Sequence, residues 1–188
     1  MAITMDENKR NKILEMTIEA FKKINKKRFY KSERGYQGRL LCALYFLMDE
    51  VNIFSEDTII EQEYQKGTSS HGTTQRPDII IHVPVEHSGA RITENNYVVY
   101  ALKKNTSDID AQDDFNKLDD MFNRLNYELG IFVSINKYPK SFLHLYEGNN
   151  KNKLHEFSLK YEDNKLGILY RYFIDGSIEE QDYGYISI

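Results

Sequence analysis

The apolar positions of the chain follow two rhythms, and the changes between them mark its elements. Over 6–26, Ile13, Leu14, Thr17, Ile18, Phe21 and Ile24 recur at three- and four-residue spacing, which gathers them on one stripe of an amphipathic helix. Asp6 stands at its start as an N-cap. Ser32 caps a second expected helix running to about Met48, with Tyr36, Leu40, Leu41, Leu44, Leu47 and Met48 on its apolar face. Gly35 and Gly38 fall in its first turns. Each costs about 1 kcal/mol against alanine, and the pair implies close approach by another backbone, of protein or of nucleic acid. From 58 to 64 the rhythm becomes that of a strand, with Glu61 and Glu63 on the face of Ile59. The stretch 66–74, KGTSSHGTT, has loop chemistry and is expected to border a cleft.

The segment 75–105, QRPDIIIHVPVEHSGARITENNYVVYALKKN, reads as two short apolar strands joined by a polar loop. Asp78 opens the first strand. In the second, alternation places Tyr97, Val99, Ala101 and Lys103 on one side and Val98, Tyr100, Leu102 and Lys104 on the other. A third helix is expected over 106–125 with Ser107 as cap. Phe115, Leu118, Met121, Phe122 and Leu125 face inward, and Asp113, Asp114, Asp119 and Asp120 lie on the polar side. ELGIFVSI at 128–135 reads as a buried strand, so that strand, helix and strand form a crossover unit. The weaker patterns at 143–146, 154–161, 166–174 and 183–188 predict antiparallel edge strands or a subunit surface. The fold class expected is α/β, a mixed central sheet flanked by helices, in one domain of 188 residues.

Composition narrows the function classes. At 40% apolar and 29% charged residues the chain is ordinary for a globular domain. No apolar run reaches the length of a membrane span, and the first residues, MAITMDENKR, lack an apolar secretory core, so a cytoplasmic protein without membrane contact is expected. One cysteine, Cys42, and no ligand spacing among the histidines argue against structural zinc. No Walker-type glycine loop argues for a P-loop ATPase. The net charge of −4 speaks against a nonspecific nucleic-acid coat, yet Lys22, Lys23, Lys26, Lys27, Arg28 and Lys31 form a local basic run without an acid.

RPDIII followed by the strand YVVYALK resembles the PD-(D/E)xK nuclease superfamily, with its restriction-endonuclease-like core. The resemblance covers about 30–135 and implies that Asp78 is the first acid and Lys103 the lysine. The second acid is due at position 101, where this chain has alanine. SERGYQGRLLCALYFL looks like the first core helix of such nucleases, which places their helix glutamate at Glu33. The implied site is Glu33, Asp78, Ala101 and Lys103. It would hold Mg²⁺, with Mn²⁺ as a substitute, through Asp78, Glu33 and the main-chain carbonyl of Leu102, while Lys103 orients the attacking water. Arg28, Lys31, Gln37, Arg76 and Lys104 are candidate phosphate contacts, which position a backbone without reading bases. His82 shares the Asp78 face and reads as structural before it reads as a base. Lys117 reads as a solvated surface residue.

Ala101 leaves three readings: an introduced Glu→Ala change that disarms an enzyme, which the pattern favours; a natural non-cleaving member; or a migrated acid, with Glu61, Glu63 or Glu33 in place of the lost ligand. The implied function is metal-dependent hydrolysis of phosphodiesters in nucleic acid, with DNA expected, in bacterial defence or a mobile element. A protein partner supplying recognition and a homodimer for double-strand cutting accompany that reading. The rival is a non-catalytic scaffold that binds nucleic acid or a partner through the basic run and the tyrosine-rich C-terminal strands.

Overall fold

The computed structural model describes residues 5–62, 77–84, 93 and 95–188. Among these, three α-helices and seven strands form an α/β fold around one mixed sheet. The helices are α1 (Glu7–Lys22), α2 (Glu33–Val51) and α3 (Asp108–Leu125). The strands are β1 (Ile59–Gln62), β2 (Ile79–His82), β3 (Asn96–Lys104), β4 (Leu129–Ile135), β5 (Leu154–Glu162), β6 (Lys165–Ile174) and β7 (Ser177–Ser187). They lie in the sheet in chain order. β3, β4 and β5 run parallel to one another, and the flanking pairs on both sides are antiparallel.

Local chemistry sets the helix ends. Asp6, Ser32 and Ser107 each accept a main-chain N–H of the first turn, from Lys9 at 2.7 Å, Gly35 at 3.1 Å and Asp110 at 3.2 Å. Such caps satisfy donors that a helix start leaves open. At α3 the Asp110 carboxylate returns a bond to the Ser107 N–H, closing a capping box. Asn52 and Asn126 take left-handed conformations and end α2 and α3. α1 stops at Lys22, short of the expected 26. There the Ile24 N–H turns back to the Phe21 carbonyl and the Tyr30 hydroxyl donates to the Ile24 carbonyl. The basic run continues as a 3₁₀ turn, Lys27–Lys31.

β3 and β4 are buried along almost their whole length, as strands covered on both faces are. α1 and α2 cover the face carrying Ile79, Ile81, Val98, Tyr100, Leu102, Ile131, Val133 and Phe157. A hydrogen bond of 2.9 Å between Thr17 Oγ1 and the Tyr100 hydroxyl joins α1 to that face. α3 and the segment through Phe142, Leu143 and Tyr146 cover the opposite face, with Ile80, Val99, Ala101 and Phe132.

Three expectations need correction. Leu143–Leu145 is a 3₁₀ turn rather than a strand. The buried Glu156 carboxylate gathers the N–H groups of Phe142 and Leu143, both at 2.8 Å, with the Ser141 hydroxyl, and this curls the segment under α3. β5 is no edge: it is buried and pairs parallel with β4. Gly38 meets no close neighbour, and at Gly35 the space of a side chain is taken by the capping Ser32 hydroxyl, so among the described residues no protein backbone makes the expected close approach. No helix among the described residues is long and apolar enough to cross a membrane.

Gly130, on β4, is where α3 comes closest to the sheet. A Cβ there would run into the ring of Phe122. Gly130→Ala is therefore expected to cost about 1–3 kcal/mol through overpacking. Denaturant unfolding checks this, and Phe122→Leu in the same chain should recover part of the loss.

Candidate functional site

The site arises because β3 outruns its neighbour. The last described β2–β3 pair at that end is Ile79 with Tyr100, and the Asp78 N–H adds a bond to the Tyr100 carbonyl. Beyond Tyr100 the N–H groups of Leu102 and Lys104 point to an edge with no strand beside it among the described residues. Two carboxylates take them: Asp78 Oδ2 accepts from Leu102 N at 2.7 Å, and Glu33 Oε2 accepts from Lys104 N at 2.9 Å. In a strand the N–H and C=O of one residue face the same side, so the Leu102 carbonyl looks onto this edge as well. The N-terminus of α2 delivers Glu33. Gln37, one turn later, donates from Nε2 to the Asp78 carbonyl at 2.7 Å.

Glu33, Asp78 and Leu102 line a cleft of about 140 Å³ together with Ala101, Lys103, Asp114 and Lys117. Burial pushes the Asp78 carboxyl up to about 7; the Leu102 N–H opposes that rise, and the charges of Asp114 and Glu33 add to it. Lys103 is about one-third exposed, and its Nζ lies 3.9 Å from Asp110 Oδ1.

Sequence and structure differ at several positions. Asp114, assigned to the polar side of its helix, is only 6% exposed. Its Oδ1 pairs with Lys117 Nζ at 2.7 Å, and burial shifts its carboxyl upward. A signal for this was present. Ala111, Asp114, Leu118, Met121 and Leu125 follow one three-four series, which puts the acid in a core position of the helix. Lys117, read as solvated surface, reaches over the same cleft. Glu61 does not approach it: Oε2 lies 2.7 Å from His82 Nε2, on the side of β2 away from β3. Gln37 is buried and holds Asp78 in place, so it does not offer its amide to a phosphate. Arg28 and Lys31 are exposed on the 3₁₀ turn, which Asn136 Nδ2 ties to the C-terminal end of β4 through the Tyr30 carbonyl at 3.3 Å. Arg76, Glu63, His71 and His87 lie outside the described residues.

A metal can be tested against these donors. Among the described residues no group of three or more His, Cys, Asp or Glu side chains is placed to hold an ion. Mg²⁺, however, usually retains several waters and takes only one or two carboxylates. A half-buried Asp78 facing a buried Asp114, all-oxygen and mutually repelling, fits that modest requirement.

No protein-family model and no curated protein matches the chain. Among solved structures, Pyrococcus furiosus SfsA in complex with Ca²⁺ aligns with a TM-score of 0.33 at 12% identity. The alignment covers 81% of this chain and 63% of that one, so the chain spans less than two-thirds of that protein's length.

Proposed function

We propose that this chain is a divalent-metal-dependent phosphodiesterase of the restriction-endonuclease-like type, acting on nucleic acid, with DNA as the substrate. The supporting observation is the meeting of Asp78 and Glu33 on the open edge of β3 beside Lys103. Asp78, with the Leu102 carbonyl, would hold Mg²⁺, and Glu33 would hold one of its waters. The ion, when bound, supplies positive charge to the transferring phosphoryl group and a polarised water.

The chain's own residues do the rest. Gln37 fixes the main chain at Asp78, so the carboxylate keeps its direction. Lys103 orients a water and offsets charge on the phosphate, a contribution of the kind whose removal costs about 10²–10³ in rate. Arg28 and Lys31, exposed near the C-terminal ends of the parallel strands, would hold the nucleic-acid backbone at the rim.

The test is cleavage of single- and double-stranded DNA and RNA in Mg²⁺ or Mn²⁺. Lys103→Met is expected to reduce cleavage at least 100-fold while leaving the fold intact, as circular dichroism would report. Cleavage indifferent to Lys103, or independent of divalent cations, would end the proposal. Salt-dependent binding without cleavage in any metal, by the chain as it stands and by Ala101→Glu alike, would favour the scaffold reading.

A further inference from the structure

We infer that Asp114, on helix α3, is the second acid of this site and replaces the strand carboxylate that Ala101 lacks. This rests on the phosphodiesterase reading above and adds that the chain as it stands is competent rather than disarmed.

Three observations carry the inference. Ala101 and Asp114 line the same cleft with Asp78, and Ala101 belongs to the cluster packed against α3. A carboxylate carried by the strand at 101 and one carried by the helix at 114 would therefore enter the same space from opposite walls. Second, Asp114 occupies a core position of its helix, where the neighbours in the series are Ala111 and Leu118. An acid in such a position is costly to bury, and fold stability alone would place an apolar residue there. Third, its ion pair with Lys117 leaves that lysine half-exposed over the cleft, so the pair opens toward a ligand rather than sealing a core.

The acids weighed on sequence for migration were Glu61, Glu63 and Glu33. Glu61 lies against His82 on the side of β2 away from β3, Glu63 is outside the described residues, and Glu33 already serves the site from the start of α2. Asp114 is the described acid that is both buried in the cleft and unassigned by the strand edge.

The experiment compares four proteins: the chain as it stands, Asp114→Asn, Ala101→Glu, and the swap Ala101→Glu/Asp114→Asn. Two readouts are taken, cleavage of DNA and the rise in melting temperature on adding Mn²⁺ to metal-stripped protein. The chain as it stands is expected to cut and to be stabilised by Mn²⁺. Asp114→Asn should lose at least 100-fold in cleavage and most of the Mn²⁺ shift, and the swap should restore both. Asp113→Asn, at the exposed neighbouring position, controls for net charge and should change neither. If Asp114→Asn binds Mn²⁺ and cuts like its parent, or if cutting first appears with Ala101→Glu and is indifferent to Asp114, the inference fails while the phosphodiesterase reading stands. If none of the four binds Mn²⁺ or cuts, the phosphodiesterase reading itself falls.

Discussion

Asp78→Asn is expected to give a protein that melts higher than its parent at pH 8 and cuts nucleic acid at least 100-fold more slowly. Burial is the main cause of the upward shift of this carboxyl to about 7, with Asp114 and Glu33 adding to it and the Leu102 N–H and Lys117 working against it. A folded-state pKa above the unfolded one means that the native state binds its proton more tightly. The associated stability is fully present below the ordinary carboxylate range and is lost as pH rises through about 7. Asparagine resembles the protonated form. It keeps an acceptor for the Leu102 N–H and carries no charge to repel Asp114. In metal-free buffer the melting temperatures of the two proteins should therefore differ least near pH 4, diverge in favour of asparagine as the pH rises to about 7, and stay apart above it. A divalent cation, which binds the ionised form, should close that gap from the parent's side. Parallel melting curves across this range, with and without the ion, would mean that Asp78 carries no such strain. The site then holds a carboxylate that stability disfavours at neutral pH, the pattern expected where a charge is kept for chemistry.

What could be read from the sequence was what short-range chemistry dictates. The three caps, Asp6, Ser32 and Ser107, announce helices that form where expected, because a cap and its recipient lie within one turn. β3, α3 and β4 were equally legible, since two buried strands around an amphipathic helix leave a strong periodic trace. In the C-terminal third the strands β5, β6 and β7 form, with β6 antiparallel to both neighbours as expected, while the turn at 143–145 and the place of β5 were not legible because their decisive contacts are distant. β5 lies parallel to β4 without an α-helix between them. The connection is instead folded back by Glu156, whose partners Ser141, Phe142 and Leu143 carry no pattern that points to it. The same divide runs through the site. Asp78, Glu33 and Lys103 could be named from local motifs, and the structure brings them to one cleft. The role of Gln37 depends on a carbonyl 41 residues away, which no spacing reveals. Asp114 was hidden by its surroundings: acids at 113, 119 and 120 make the helix look uniformly polar there, although the three-four series already placed 114 inside.

His155 is expected to make the protein acid-sensitive in the opposite direction to Asp78. It is buried on β5, with Nδ1 2.7 Å from the Tyr170 hydroxyl and its ring parallel to those of Tyr170 and Tyr172 on β6. Burial, then the guanidinium of Arg10 on α1, lowers its pKa to about 3. Glu7 and Glu15 border the same groove from α1 without reversing that shift. A histidine with a depressed folded-state pKa contributes stability that is complete above its ordinary value near 6.5 and is lost as pH falls toward 3. The slope limits the loss to about 1.4 kcal/mol per pH unit, or about 2 kcal/mol between pH 6.5 and pH 5. His155→Phe preserves the ring contacts and removes the titration. At pH 7 it should cost about 1 kcal/mol for the orphaned Tyr170 hydroxyl. By pH 5 the variant should have overtaken its parent, because the parent alone must force a neutral imidazole against its solution preference. Denaturant unfolding of both proteins at pH 7, 6 and 5 measures the crossing. Every other titrating group, Asp78 included, is common to the two, so it cancels in their difference. A difference that stays constant over those two units would place the imidazole in contact with water and remove the burial argument for this face of the sheet.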